Sequence, residues 1–292
     1  MFKSYIKTAW RHLWKNRAYS FLNIFGLALG ITCAGLIFLW GESELTFDHL
    51  NLKKNDLYQL EVNAPFNGSI FTMGSTPRPM AAAIKAEIPG IANAARYSDQ
   101  DEQLLFSFGN ASLYAAGRYT DASLFSMFTF TFLQGNSSNP FPQLYPLVVT
   151  QRTARKFFGS DKNAIGRTIR VDNKQNYVVT GVVKDMSENS SLQFEWLAPY
   201  DITIEKRSEN TDEWGSYGPF TYVELDKNAN FATVNNQLKH YIKRKAPAEK
   251  SEVFLFPMEK WRLYDEFANG KPTGGGRIVQ VRMLSMVAGI IL

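Results

Sequence analysis

A phosphate-cradling loop needs G-x-x-x-x-G-K-[ST], whose backbone amides and lysine hold the phosphates. The nearest approach is Gly270-Lys271, where Pro272 follows the lysine and Asp265 stands in the first glycine's place. This chain therefore cannot bind ATP by that route. His12, His49 and His240 are too widely spaced for a zinc site, and the last two are expected on the surface. Asp185, Glu188 and Glu195 have the right chemistry for acid–base work. They fall in turn and strand context with no histidine or nucleophile beside them, so a structural role is expected. Glu42, Glu44 and Asp48 cluster directly after an apolar run. They could contact a partner or a cation; the preferred reading is a solvated helix end. No catalytic residue, cofactor site or metal ligand is expected. The residues singled out for function are Gly26, Gly30 and Ala34, whose small side chains let a second membrane helix pack closely.

The elements that must position these residues start with the membrane. Ala18–Gly41 is free of charge, with Tyr19 and Trp40 at its two ends. As a helix it reaches roughly 36 Å at about 1.5 Å per residue, against a hydrocarbon core of about 30 Å. Lys3, Lys7, Arg11, Lys15 and Arg17 precede it and no cation immediately follows, which places the N-terminus in the cytoplasm and the bulk of the chain outside. The run is too long for a signal peptide, and no small-residue cleavage site follows it. Phe2, Ile6, Ala9, Trp10, Leu13 and Trp14 recur at helical spacing between those cations, so residues 1–17 read as a cytoplasmic amphipathic helix on the membrane surface. Met283–Leu292 is apolar throughout, and 277–292 reads as the start of a second transmembrane helix, with the sequence stopping midway through it.

Charge placement excludes one class of partner. All 27 acids lie between Glu42 and Glu266, where residues 42–276 carry 25 of the 32 basic residues. The outer region is thus nearly neutral and the basic excess is juxtamembrane, so nucleic acid is not a partner. Cys33, the single cysteine, allows no disulfide within the chain.

Residues 42–276 alternate short strands and helices, which argues for an α+β domain. Strands are expected at 56–62, 91–98, 103–108, 112–119, 147–150, 168–171, 177–183, 217–225 and 252–256. Asp172-Asn-Lys joins the 168–171 and 177–183 pair as a hairpin. Helices are expected from Ser75 or Thr76 as cap, over 121–128, from Thr150 or Thr153 to Gly159, and over 231–243.

Several segments, in order along the chain, resemble the FtsX/MacB-type ABC transporter permeases. They are Ala9-Trp-Arg-His-Leu-Trp-Lys-Asn with Ser20–Gly30, Glu44-Leu-Thr-Phe-Asp48, Asp121–Gly135 with Pro146–Thr150 and Ala154–Gly159, Val179–Asp185, and Gly274–Ser285. The likeness is nearest to permeases without an ATPase domain of their own. It implies one N-terminal transmembrane helix followed by an extracytoplasmic core domain over 42–276. That domain would have a porter-like part at 42–125 and 217–276, and a Sabre-like part inserted at 126–216. It further implies a multi-pass protein of the inner membrane that is not itself an enzyme. The implied partners are a cytoplasmic ABC ATPase subunit, a second permease chain, membrane lipid and a periplasmic partner. The alternative reading is a membrane-anchored extracytoplasmic sensor or interaction module.

Overall fold

A computed structural model describes residues 2–109, 111–207 and 213–292. Helix α1 (Phe2–Lys15) is followed by α2 (Arg17–Leu45), with Asn16 marking the break between them. Tyr5, Ile6, Trp10, Leu13 and Trp14 of α1 are exposed. The side chains of Phe2 and Lys3, which belong to its two expected faces, lie outside the described residues. Helix α2 is long and apolar enough to cross a membrane, and only 6% of its apolar window is buried within the chain. That exposure is the opposite of a soluble core helix.

The domain then runs β1 (Leu57–Phe66), β2 (Ser69–Met73), β3 (Ser75–Pro77), α3 (Met80–Glu87), β4 (Ile91–Tyr97), β5 (Glu102–Phe108), β6 (Ala111–Thr120), α4 (Leu124–Met127) and β7 (Phe132–Gly135). It continues with β8 (Pro146–Thr150), α5 (Gln151–Phe158), β9 (Thr168–Val171), β10 (Gln175–Val183), β11 (Trp196–Pro199), α6 (Asp201–Arg207), β12 (Tyr217–Leu225), α7 (Phe231–Lys239) and α8 (Tyr241–Lys245). Strand β13 (Glu252–Pro257), α9 (Met258–Trp261) and a small hairpin of β14 (Phe267–Ala268) and β15 (Lys271–Pro272) lead to α10 (Arg277–Ile291). The domain is α+β.

Two lobes share one sheet. In the first, β4, β12, β1 and β13 pair antiparallel in that order. The helices α3, α7 and α8 cover one face, burying Leu60, Val62, Ile84, Val223, Leu238 and Tyr241. In the second, β11 pairs with both β8 and β6, so β6-β5-β9-β10-β8-β11 closes into a ring. Closure removes the open edges that a sheet would otherwise expose. Its interior holds Phe106, Tyr119, Tyr177 and Trp196. The Trp196 indole N–H donates to the Ala115 carbonyl at 3.0 Å, and the ring lies where a side chain on Gly117 would stand. An aromatic cluster that includes Phe125, Phe128, Tyr222 and Trp261 fills the space between the lobes. The ring's interior takes Leu104, Phe106, Ala115 and Tyr119 together with residues 147–202, so its packing reaches back before residue 126.

Local signals explain much of this. Thr150 caps α5 by accepting from the Thr153 amide, and Gly159 ends it in the left-handed region. Asp172 and Asn173 both have positive φ, as the tight turn between β9 and β10 requires. Thr150→Ala is expected to cost about 1 kcal/mol, read as a fall in Tm of about 2–4 °C for a domain of this size.

Three expectations are corrected. Ser75-Thr-Pro is a strand and caps no helix: the Thr76 hydroxyl is engaged with Thr221 and the Pro219 carbonyl of β12, and α3 starts later, after Pro79. The 231–243 helix is two pieces broken at His240. The stretch from Phe130 to Leu133, expected to lead into a loop that begins at Gly135, forms strand β7 (Phe132–Gly135) paired with β10. Strands β2, β11, β14 and β15 and helices α6 and α9 add to the expected set.

Candidate functional site at the membrane joint

The last turn of α2 carries Glu44 out of the span and into the domain, where it is 5% exposed. Arg262, just after α9, grips it with Nε to Oε2 at 2.6 Å and Nη2 to Oε1 at 2.8 Å. Arg277, the first residue of α10, donates to the same Oε1 at 2.9 Å. Charge-assisted, forked contacts of this kind are roughly twice as strong as neutral hydrogen bonds and fix geometry as well as distance. The Arg262 guanidinium also lies over the Phe47 ring at 4.2 Å.

Apolar packing surrounds the joint. Leu263, Ile278 and Val281 form a buried cluster with Trp40 and Tyr264 against it, and the Ile278 amide donates to the Leu263 carbonyl. Gly276 has φ +110°, and a Cβ there would collide with Asp265 and the Leu263 backbone. The turn that feeds Arg277 to Glu44 thus depends on glycine at that position. Helices α2 and α10 then run antiparallel, with Gly41 beside Val281 and Ser285 and Gly30 against Ile291.

Asp48 makes a second attachment, to the other lobe. Its carboxylate accepts from the Ser191 amide at 2.7 Å and from the Ser191 hydroxyl. Its own amide donates to the Asn189 carbonyl. Burial raises the Asp48 pKa above the ordinary carboxylate value, against the pull of both Ser191 bonds. Lys53 extends the attachment by donating to the Ser126 carbonyl and pairing with Glu224 at 2.6 Å. A single stretch of eleven residues, 43–53, thereby binds α10, the first lobe and the second lobe.

The preferred reading of a solvated helix end holds for Glu42, which is exposed. It is overturned for Glu44 and Asp48, both buried and bonded. Their partners come from far along the chain, and a local pattern of acids cannot reveal them. Of the small residues, Gly30 meets Ile291, Ala34 is fully buried, and Gly26 has open space beside it. His49 and His240 are exposed, the latter 3.5 Å from Glu252. Asp185 accepts from the Arg152 amide at the start of α5, and Glu195 from the Ala116 amide. Among the described residues no group of three or more His, Cys, Asp or Glu could hold a metal ion. The arrangement ties α2, α10 and both lobes together through ion pairs and buried hydrogen bonds.

Residues 20–241 match the family model for the MacB-like periplasmic core domain. Among solved structures, a domain of an inferred permease protein from Porphyromonas gingivalis has a TM-score of 0.60 at 18% identity, covering 82% of this chain and 98% of that one. The periplasmic region of MacB from Actinobacillus actinomycetemcomitans has a TM-score of 0.51 at 16% identity, covering 71% and 91%. The extracellular domain of the noncanonic ABC-type transporter YknZ from Gram-positive bacteria has a TM-score of 0.52 at 10% identity, covering 68% and 99%. No curated protein matches the chain. With the matched segment spanning most of its length, the chain belongs to the family of the MacB-like periplasmic core domain, carried by permeases of the ABC transporter type.

Proposed function

We propose that this chain is a permease subunit of an ABC transport system and works as a mechanical transmitter. ATP hydrolysis by a separate cytoplasmic subunit would shift the spans of two permease chains, and the outer domain would follow. The observation that carries this reading is the three-way ion pair of Glu44, Arg262 and Arg277. It ties the exit of α2 to the start of α10 and to the base of the first lobe, so movement of one span relative to the other must reach the domain. In this reading the Sabre-like part, 126–216, supplies β8 to β11 of the ring-shaped lobe, and the porter-like part, 42–125 and 217–276, supplies the helix-covered lobe and the ring's β5 and β6. Gly26, Gly30 and Ala34 would serve close packing among the spans.

The test uses a spin label at exposed Lys174 in each of the two permease chains, in a Cys33→Ser background. The full permease is reconstituted with its ATPase. A change in label distance between nucleotide-free and ATP-bound states is expected. Unchanged distances would remove the mechanical reading and favour an extracytoplasmic sensor or interaction module. An alkaline phosphatase fusion near residue 150 is expected to be active, as a domain outside the cytoplasm requires; an inactive fusion would overturn the topology.

A further inference from the structure

A cleft of about 280 Å³ opens between β1–β2 and the segment that leads from β13 to α10. Glu61 projects into it from β1 and is 8% exposed. The side-chain partner of this carboxylate is a neutral amide, Gln59 Nε2 at 3.1 Å. The groups facing it are Gln59 on β1, Thr72 and Met73 on β2, Phe256 on β13, and Trp261, Asp265 and Phe267 from the covering segment. Asp265 alone among these is charged, and among the described residues no lysine, arginine or histidine lines the cleft. A carboxylate taken out of water without a cation is costly, and nothing in the cleft supplies the missing charge.

The walls select the kind of cation. Calcium and magnesium take six or more oxygen ligands, and the side chains here offer two carboxylates, the Gln59 amide and the Thr72 hydroxyl, which is committed to Asn63, amid three aromatic rings. Three rings, Phe256, Trp261 and Phe267, border the space. Aromatic faces attract ammonium and guanidinium groups, most strongly where water is displaced. We propose that the cleft binds an organic cation, a primary ammonium or guanidinium group, with Glu61 as its anionic anchor and these rings as its wall. The group can belong to a small amine or to a lysine or arginine side chain of a polypeptide. The site stands apart from the transmission reading and does not rest on it.

Burial pushes the Glu61 carboxyl up to about 7, so the anchor is charged at pH 8 and largely neutral at pH 6. The full chain in lipid nanodiscs is titrated with benzylammonium, with its neutral isostere benzyl alcohol, and with a blocked lysine tripeptide. Binding is followed by saturation-transfer NMR. Saturable binding of benzylammonium or the tripeptide at pH 8 is expected, falling about tenfold at pH 6 as the ionised fraction falls. Glu61→Gln is expected to lose at least tenfold at pH 8 and to lose the pH dependence. Phe267→Leu, which keeps the charge, is expected to lose several-fold. Tighter binding of the tripeptide assigns the site to a polypeptide, and tighter binding of benzylammonium to a small amine. Equal binding by Glu61→Gln, equal binding of benzyl alcohol, or no saturable binding of either cation would overturn the proposal.

Discussion

Glu44→Ala is expected to lower transport by the assembled permease more than tenfold while ATP hydrolysis stays within about twofold. Glu44 receives three charge-assisted hydrogen bonds from two arginines. Bonds to charged groups contribute about 1.5–3 kcal/mol each. The total lost is below their sum, because Arg262 and Arg277 are 31% and 39% exposed and turn to water when the carboxylate is gone. A weakening of the joint by about 2–4 kcal/mol follows. That is enough to let α2 and α10 slide without drawing the first lobe along. The fold itself should survive, since both lobes keep their own cores.

Graded variants separate charge from shape. Glu44→Gln keeps an acceptor without the charge and is expected to fall between wild type and alanine. Arg262→Lys removes the fork and the stacking over Phe47, and is expected to uncouple more than Arg277→Lys, which loses a single bond. The double-mutant cycle of Glu44→Gln with Arg262→Gln should give a coupling of about 1–3 kcal/mol, as expected for groups in direct contact. Transport unchanged in Glu44→Ala, with the chain correctly inserted, would show that force travels by another route.

The parts of this molecule that can be read from sequence are those whose causes are local. The uncharged stretch from Ala18 to Gly41, the Thr150 and Gly159 ends of α5, and the Asp172-Asn173 turn each state their own structure. Ser75-Thr76-Pro77 shows where local logic fails: the pattern is that of a helix cap, but β12 captures the threonine hydroxyl and makes the segment a strand. The joint failed to appear for a related reason. Arg262 and Arg277 lie 218 and 233 residues from Glu44, and as single residues they look like ordinary surface and juxtamembrane cations. Glu61 was hidden more thoroughly. Gln59, Glu61 and Asn63 alternate with Leu60 and Val62 exactly as the wet face of a strand would. Only the return of the chain after β13 buries that face: the β14–β15 hairpin docks through the Asn63 amide to the Gly270 carbonyl and through Phe267 against Phe254 and Phe256.

That burial gives the second large effect, on stability. The Glu61 carboxyl titrates at about 7 in the folded domain against an ordinary 4.5, and the cause is desolvation. A folded-state value above the unfolded one means that the native state binds the proton more tightly. The stability this contributes is fully present below about pH 4.5 and is lost as pH rises to about 7, after which the deficit is constant. The displacement corresponds to about 3 kcal/mol. Glutamine is a neutral mimic of the protonated acid, of nearly the same size, and can still accept from Gln59. Glu61→Gln is therefore expected to match wild type near pH 4 and to exceed it by about 2–3 kcal/mol at pH 8, a gain in Tm of about 5–10 °C. Glu61→Ala does not substitute for this test, because it leaves a cavity and strands Gln59, and its cost would mask the gain. Denaturation in urea across pH 4–9 reads the difference directly: curves for wild type and Glu61→Gln that run parallel throughout would mean that Glu61 is ionised and satisfied in the native domain. An organic cation bound at Glu61 should close the gap at pH 8 for wild type alone, because it stabilises the charged form that folding otherwise penalises.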